Sequence, residues 1–275
     1  MATLAKVCTV CGRPQGEPCE ACQLHSPGYV AVKDVWLEVR PLEPEFRLEP
    51  VPVQWAVGTV GGGLTAEWDW ATGRWEELPG AGAGGEHPYA WLELTTHCPH
   101  RCRHCYLGDR LGKGHAPAAS IHAALATLTP FGVEEVVLAG GEPTMHPDFL
   151  AILDHARRAA PVVRVLTNGW SQYPELIEAL ARPGVRVEVP LLGWEGDHDW
   201  MTRTPGSFAR ITASLRQYRA AGVDLTLTTT LTKAGTAALP RLRALAKELG
   251  IPFEATALAR QGEAVEHWSE LAAEA

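Results

Sequence analysis

The chain has 275 residues, of which 46% are hydrophobic, and its formal net charge at pH 7 is −8. This length allows one large domain, or a main domain with an appendage. No apolar run approaches the ~18 residues of a membrane span, and the N-terminus lacks the apolar segment of a signal peptide, so we expect a cytoplasmic protein with no membrane partner. The negative charge argues against a broad nucleic-acid-binding surface, although not against a local one.

The first 28 residues contain four of the seven cysteines: Cys8, Cys11, Cys19 and Cys22. They form two Cys-x2-Cys pairs separated by seven residues, and each pair can present two thiolates on one tight knuckle. Cysteines grouped in this way in a cytosolic chain favour metal ligation over disulfides. We therefore predict that residues 1–28 form a small knuckle that binds one zinc ion. A rubredoxin-like iron site is the alternative.

Residues 29–80 have the composition of a small β-rich module. VWLEVRP is typical of a short strand, and AEWDWATGRWEEL is typical of a hairpin with Thr72 and Gly73 at its turn. Four tryptophans supply bulk in a region with few aliphatic residues: Trp55, Trp68, Trp70 and Trp75. They are expected to form the core of this module, and an exposed aromatic platform for a peptide or nucleotide is the alternative. Residues 81–88 have the composition of a flexible linker.

From residue 89 onwards, short apolar segments alternate with amphipathic ones. The strand candidates are WLELT, VEEVVLA, VVRVLT, VRVEVPLL, VDLTLTTTL and a weaker IPFEATALA. Between them lie helical patterns, such as the one that places Phe149, Ile152, Leu153 and Ala156 on one face. This alternation predicts a parallel sheet with helices outside it. An eight-fold barrel needs two more strands, so we expect an α/β fold, a partial (β/α)6 parallel barrel over residues 89–275.

In parallel barrels, functional residues gather at the carboxyl ends of the strands. The first strand candidate is followed by Cys98, Cys102 and Cys105, with the spacing Cys-x3-Cys-x2-Cys. Three thiolates cannot complete a structural zinc site, which takes four protein ligands. They suit a cubane iron–sulfur cluster that is bound at three irons and open at the fourth. A partial zinc knuckle and three unrelated core cysteines are alternatives that this spacing alone leaves open.

Two further segments follow the next strand candidates. Residues 140–143 read GGEP after the second strand, and residues 167–169 read TNG after the third. Paired glycines let a ligand approach the backbone closely, and a carboxylate beside them can accept hydrogen bonds from an ammonium group. The fourth strand candidate is followed by GWEGDHDWMTRTPGSF.

The cysteine loop, GGEP and TNG together resemble the radical S-adenosylmethionine (radical SAM) family, over about residues 89–275. The resemblance implies a [4Fe–4S] cluster on the three cysteines, with SAM bound to the open iron through its amine and carboxylate. It implies that GGE contacts the SAM amino group, that TNG contacts its ribose or carboxylate, and that His104 replaces an aromatic residue that usually precedes the third cysteine. The cofactor-binding residues on this basis are His104, Tyr106, Gly140, Gly141, Glu142, Thr167 and Asn168.

Strand periodicity adds two inner-face candidates. In LTLTTTL, Leu225, Leu227 and Leu231 should face the helices, while alternate threonines, Thr228 among them, should face the barrel interior. The same alternation turns Glu188 inward. A buried carboxylate needs a partner, so we predict that Glu188 contacts SAM or substrate, with a structural ion pair to an arginine as the alternative.

The resemblance implies that the reduced cluster gives one electron to SAM and that the resulting 5′-deoxyadenosyl radical abstracts hydrogen from a substrate. We favour a peptide or protein substrate, with a small metabolite, a cofactor precursor or a tRNA base as alternatives. A non-catalytic redox-sensing binding protein is the third class. The implied electron donor is a protein such as flavodoxin or ferredoxin. No cysteine follows Cys105, so we expect no C-terminal extension for auxiliary clusters.

Overall fold

The computed structural model describes residues 66–69, 74–77, 89–128 and 133–273. The predicted cysteine knuckle, the VWLEVRP strand and the linker lie outside these ranges. The same holds for the packing of the four tryptophans. These interpretations therefore stay predictions.

The predicted hairpin is present. Strand β1, Ala66–Asp69, pairs antiparallel with β2, Arg74–Glu77, and Trp68 lies opposite Trp75 in the register. The turn between the strands is outside the described residues.

The six strands after residue 89 form one parallel sheet, which confirms the predicted architecture. Their order in the sheet follows the chain from β3 to β8, so each strand pairs with its neighbours in sequence. The strands are β3 Tyr89–Thr95, β4 Glu135–Gly140, β5 Val162–Leu166, β6 Val185–Pro190, β7 Asp224–Leu231 and β8 Phe253–Ala257. Sequential parallel pairing requires a crossover after every strand, and the amphipathic segments supply it.

Helices connect the strands and cover one face of the sheet. They are α1 Ala118–Ala126, α2 Phe149–Ala159, α3 Pro174–Leu180, α4 Gly196–Thr202, α5 Ser207–Ala220, α6 Lys233–Leu249, α7 Glu263–Glu266 and α8 Trp268–Leu271. Short 3-10 helices span Gly108–Arg110 and Pro143–Met145. The predicted apolar face of α2 is buried. Helix α6 ends before Gly250, whose left-handed backbone caps it. Within the described ranges, no helix combines the length and the hydropathy that crossing a bilayer requires.

The hydrophobic core lies between the sheet and the helices. Alternate residues of each strand supply it, for example Val136 and Leu138 of β4 and Val163 and Val165 of β5. Burying one such side chain contributes about 1.5–3 kcal/mol. The intervening residues face the barrel interior, which is where ligands can be held.

The alternation predicted for β7 is confirmed at Leu225 and Leu227, which lie in this core. Leu231, at the strand end, is only half-buried and does not belong to the core. Thr229 is buried on the leucine side, where its hydroxyl donates to the Leu191 carbonyl at 2.6 Å. The hydrogen bond explains how a polar side chain is accommodated there.

Candidate active site at the carboxyl ends of the strands

The cysteine loop begins directly after β3 and carries the three thiols. Burial, with smaller contributions from the charges of Glu142 and Cys105, raises the pKa of Cys98 to about 12. Burial also raises the pKa of Cys102 well above its usual value, with Cys98 and Cys105 adding to the shift. Burial raises the pKa of Cys105 as well. The charges of the neighbouring cysteines thus contribute to these rises, and a bound metal would supply the positive charge that makes the thiols thiolates.

This donor set fits the cluster that the sequence predicts. Three thiols supply three ligands, which is the number that leaves one iron of a cubane open. The Cys98 sulfur also accepts hydrogen bonds from the His100 backbone N–H at 3.4 Å and from Asn168 Nδ2 at 3.5 Å. Hydrogen bonds to ligand sulfur tune an iron–sulfur cluster and fix its ligand in place.

Helix α4, which follows β6, supports the cysteine loop from one side. The backbone N–H of Arg101 donates to the Thr202 carbonyl at 3.1 Å, and that of Arg103 donates to the Met201 carbonyl at 2.9 Å. Cys102 packs against a small second core made by Leu192, Met201, Leu258, Ala264 and Leu271. The loop is therefore held by packing from two distant segments as well as by its own turns.

The segment after β8 supports the loop from another side. Glu263 N–H donates to the Cys105 carbonyl at 2.9 Å. Gly262 has φ +54, and a Cβ there would overlap the Cys105 carbonyl oxygen. Beside this contact lies a cavity of about 210 Å³. It is lined by Arg101, Cys102, Cys105, Gly108, Asp109, Leu111, Arg203 and Glu263. This segment was not predicted from the sequence, where its only signal is a glycine after the weakest strand candidate.

Replacing Gly262 with alanine is expected to displace this segment from the cysteine loop. The overlap with Cys105 should lower the free energy of unfolding by about 1–3 kcal/mol. This loss adds to the ~1–2 kcal/mol that any side chain costs at a positive φ. Gly222→Ala is the matched control, because Gly222 has φ +83 with nothing within 4 Å of the added Cβ. The measurements are the unfolding free energy and the iron content after anaerobic gel filtration. Equal decreases of unfolding free energy and iron content in the two variants would show that the contact of Gly262 with Cys105 does not support the cysteine loop.

The GGE segment lies directly on the cysteine loop. Gly141 N–H donates to the Thr95 carbonyl at 2.7 Å, and Glu142 N–H donates to the His97 carbonyl at 2.8 Å. Gly140 has φ +129, and a Cβ there would overlap the Thr95 carbonyl oxygen. The two glycines thus allow the ends of β3 and β4 to approach closely, and only residues without a side chain fit this approach.

The Glu142 carboxylate links the GGE and TNG segments. It is fully buried and accepts four hydrogen bonds, from Thr144 N–H at 3.1 Å, the Thr144 hydroxyl at 2.6 Å, the Thr167 hydroxyl at 2.7 Å and Asn168 N–H at 2.7 Å. Burial raises the pKa of Glu142, and these hydrogen bonds act against that rise. The Asn168 side chain in turn donates to the Cys98 sulfur. Asn168 therefore joins the Glu142 carboxylate to the cysteine loop by hydrogen bonds.

His104 and Tyr106 flank the third cysteine. His104 is half-buried with its Nδ1 atom shielded from solvent, and burial lowers its pKa to about 4. The Tyr106 hydroxyl donates to the Gly140 carbonyl at 3.3 Å, which joins the cysteine loop to the end of β4. Burial and the neighbouring Glu93 raise the pKa of Tyr106 well above its usual value. Glu93, which pairs with Arg110 at 3.1 Å, is an inner-face residue that was not predicted from the sequence.

Glu188 and Thr228 lie within their strands rather than beyond the carboxyl ends. Both are half-buried residues that alternate with core residues, as predicted for the inner face. Glu188 pairs with Arg164 at 3.2 Å, and Arg164 also pairs with Glu135. The ion pair named as the alternative is thus the contact present, while the contact of either residue with SAM or substrate stays a prediction.

Comparison with known proteins identifies the family. The sequence profile of the Radical SAM superfamily matches residues 92–235, just over half of the chain. The AdoMet-dependent heme synthase of Methanosarcina barkeri is 31% identical over 165 residues, which is 58% of this chain and 47% of that protein. The PqqA peptide cyclase of Gluconobacter oxydans is 31% identical over 162 residues, 58% of this chain and 45% of that protein.

The fold is also similar to solved structures. Streptococcus suis SuiB, bound to the precursor peptide SuiA, superimposes with a TM-score of 0.55 at 19% identity, covering 60% of this chain and 38% of SuiB. The chain spans about half the length of the curated relatives that it matches. The match to the family profile, the parallel six-stranded sheet and the three-cysteine loop agree, and the chain belongs to the radical SAM superfamily.

Proposed function

We propose that the protein is an enzyme that binds a [4Fe–4S] cluster through Cys98, Cys102 and Cys105 and uses it to cleave SAM reductively. The observation that carries this proposal is that the loop with the three cysteines meets the GGE and TNG segments at one end of the sheet. The bound cluster would supply one electron to SAM, whose C5′–S bond would break to give methionine and a 5′-deoxyadenosyl radical that would abstract hydrogen from the substrate. The electron donor is a small redox protein such as flavodoxin or ferredoxin, and the location is the reducing cytoplasm.

The chain's own residues position and enclose the reactants. The three cysteines anchor the cluster, and Asn168 Nδ2 holds the Cys98 sulfur. Gly140 and Gly141 let the end of β4 lie directly against the cysteine loop, which holds the GGE backbone beside the cluster and so within reach of the SAM amino group. Glu142 fixes the relative positions of the segments that contact SAM, because its carboxylate bonds to both. Such support matters because misplacing a reactant by about 1 Å can cost ~100-fold in rate.

SAM cleavage is tested directly with the anaerobically reconstituted protein, a strong reductant and SAM. We expect 5′-deoxyadenosine to form in molar excess over the protein, as measured by liquid chromatography and mass spectrometry. A protein that carries the cluster but makes no 5′-deoxyadenosine would instead be a redox-sensing binding protein.

We propose a peptide or protein as the substrate. One relative at 31% identity is named as a peptide cyclase. In addition, the last strand, β8, lies at the edge of the sheet, and its inner-face residues Glu254 and Thr256 are exposed. An open edge of this kind can admit an extended peptide, because the reacting residue can enter the barrel interior while the flanking residues of the peptide stay outside the barrel.

A small cofactor precursor is the second candidate, since another relative at the same identity is named as a heme synthase. The test uses deuterium transfer into 5′-deoxyadenosine. We expect transfer from a fully deuterated peptide encoded next to the gene for this protein. Transfer only from a deuterated small-molecule fraction of the host cell would favour the second candidate.

We also propose that Cys8, Cys11, Cys19 and Cys22 bind one zinc ion, since two Cys-x2-Cys pairs can close a tetrahedral site. A triple variant with Cys98, Cys102 and Cys105 changed to alanine isolates this site. Elemental analysis of the reconstituted variant should find about one zinc per chain and almost no iron. About four irons per chain would mean a second cluster, and about one iron would mean a rubredoxin-like site.

A further inference from the structure

Glu93 is a carboxylate buried on the inner face of β3. Its chain neighbours Leu92 and Leu94 belong to the hydrophobic core, so the Glu93 side chain points to the opposite face, toward the barrel interior. Only 7% of this residue is exposed to solvent. A carboxylate in such a place needs a partner, because burying it alone is costly.

The partner of Glu93 is Arg110, which belongs to the segment after the third cysteine. Arg110 Nη1 lies 3.1 Å from Glu93 Oε2. Arg110 is the last residue of the 3-10 helix Gly108–Arg110, and Gly108 N–H donates to the Cys105 carbonyl at 3.4 Å. The ion pair therefore ties the chain that leaves the cysteine loop to the inner face of β3.

Tyr106 connects this ion pair to the GGE segment. The guanidinium carbon of Arg110 lies 6.0 Å from the centre of the Tyr106 ring, and the Tyr106 hydroxyl donates to the Gly140 carbonyl at 3.3 Å. Glu93 itself lies opposite Ala139, the residue before Gly140, in the register of β3 and β4. The Glu93–Arg110 pair is therefore located where the segment after the third cysteine meets the GGE backbone.

The pairing of β3 with β4 becomes irregular directly after Glu93. Glu93 lies opposite Ala139, whereas Thr95 lies opposite Gly140, so the register shifts within two residues of β3. Such a shift interrupts the regular ladder of backbone hydrogen bonds. At this point, side-chain contacts therefore gain importance for the relative position of the two strand ends.

We propose that Glu93 is a positioning residue for SAM, which acts through Arg110 and Tyr106. This inference rests on the proposed function, in which SAM is held by the open iron of the cluster and by the GGE backbone. The ion pair fixes the segment that follows Cys105 relative to Gly140, and so keeps these two anchors of SAM at a constant separation. Glu93 itself ligates no iron.

The ion pair is tested with substitutions that remove or retain its charges. Glu93→Gln and Arg110→Gln each remove one charge at nearly constant size. Arg110→Lys retains the positive charge, and it can retain the contact because a single guanidinium nitrogen makes it. The matched control is Glu248→Gln, since Glu248 pairs with Arg216 at 3.3 Å on the exposed surface between α6 and α5.

The first readout is the electron paramagnetic resonance spectrum of the reduced holoenzyme, titrated with SAM. We expect Glu93→Gln and Arg110→Gln to raise the SAM concentration at half-saturation by ~10-fold or more, because the anchors of SAM are misplaced. Arg110→Lys and the control should stay near the wild type. The double variant with both glutamines should show no larger increase than the more affected single variant, because both changes break the same contact.

The second readout is amide hydrogen exchange of residues 108–112 in the cluster-free protein. Exchange should be faster in the two glutamine variants than in the control, because the ion pair holds this segment on β3. If Glu93→Gln does not fold, Arg110→Gln tests the pair alone, since the Arg110 side chain is 37% exposed.

Three results would overturn the positioning role. They are an unchanged half-saturation in the glutamine variants that fold, a double variant whose effect is the product of the single effects, and equal exchange in these variants and the control. A purely structural role would give the first of these results together with a lower iron content. Failure of the proposed function is a separate outcome, since the wild-type protein would then bind no cluster or cleave no SAM.

Discussion

Replacing any one of Cys98, Cys102 and Cys105 with alanine is expected to abolish SAM cleavage and the iron–sulfur absorption of the barrel. The loop offers three thiols for three irons, so each variant leaves one iron without a protein ligand. The lost ligand also opens the cluster to solvent. The measurements are the visible absorption spectrum after anaerobic reconstitution and the amount of 5′-deoxyadenosine formed with SAM.

The control for these variants is Lys113→Ala, because Lys113 is an exposed residue on the same loop segment. It should retain the wild-type spectrum and rate. Cleavage of SAM by any of the three cysteine variants at the wild-type rate would contradict the assignment of the cluster ligands.

Replacing Glu142 with alanine is expected to lower the free energy of unfolding by about 3 kcal/mol or more. The change leaves four donors without their acceptor, in a place that is closed to water. We also expect SAM cleavage to fall by about 100-fold or more, because the GGE and TNG segments lose the carboxylate that joins them. Denaturant unfolding and the rate of 5′-deoxyadenosine formation measure the two effects.

Two further variants separate charge from shape. Glu142→Gln retains one carbonyl oxygen but places an amide NH2 where the carboxylate accepts a hydrogen bond, so its effect should lie between the wild type and the alanine variant. Glu178→Ala, on an exposed position of α3, should change the unfolding free energy by less than about 0.5 kcal/mol. An alanine variant at Glu142 as stable as the one at Glu178 would show that the network is not structural.

The architecture of the barrel could be predicted from the sequence alone. Strand and helix patterns depend on residues two to four positions apart, so they can be read without knowing the fold. The alternation in β7 placed Leu225 and Leu227 in the core for this reason. The order of the strands followed as well, because parallel strands joined by short helical crossovers pair in sequence.

The cysteine loop could be recognised from the sequence for a similar reason. The three cysteines lie within eight residues of one another, so their spacing alone limits which metal centres they can bind. The position of GGEP and TNG after successive strands also placed them at the same edge of the sheet, where Glu142 and Asn168 indeed meet.

Only the tertiary structure decided what the polar groups touch. Asn168 reaches Cys98 across 70 residues, and Glu188 takes Arg164 of the neighbouring strand as its partner. Gly262, in the last segment, fits against Cys105. Such contacts depend on the register of the strands, the curvature of the sheet and the paths of the loops, which local patterns do not encode. For this reason the sequence determined which chemical groups reach the site, while the folded chain determined which of them are partners.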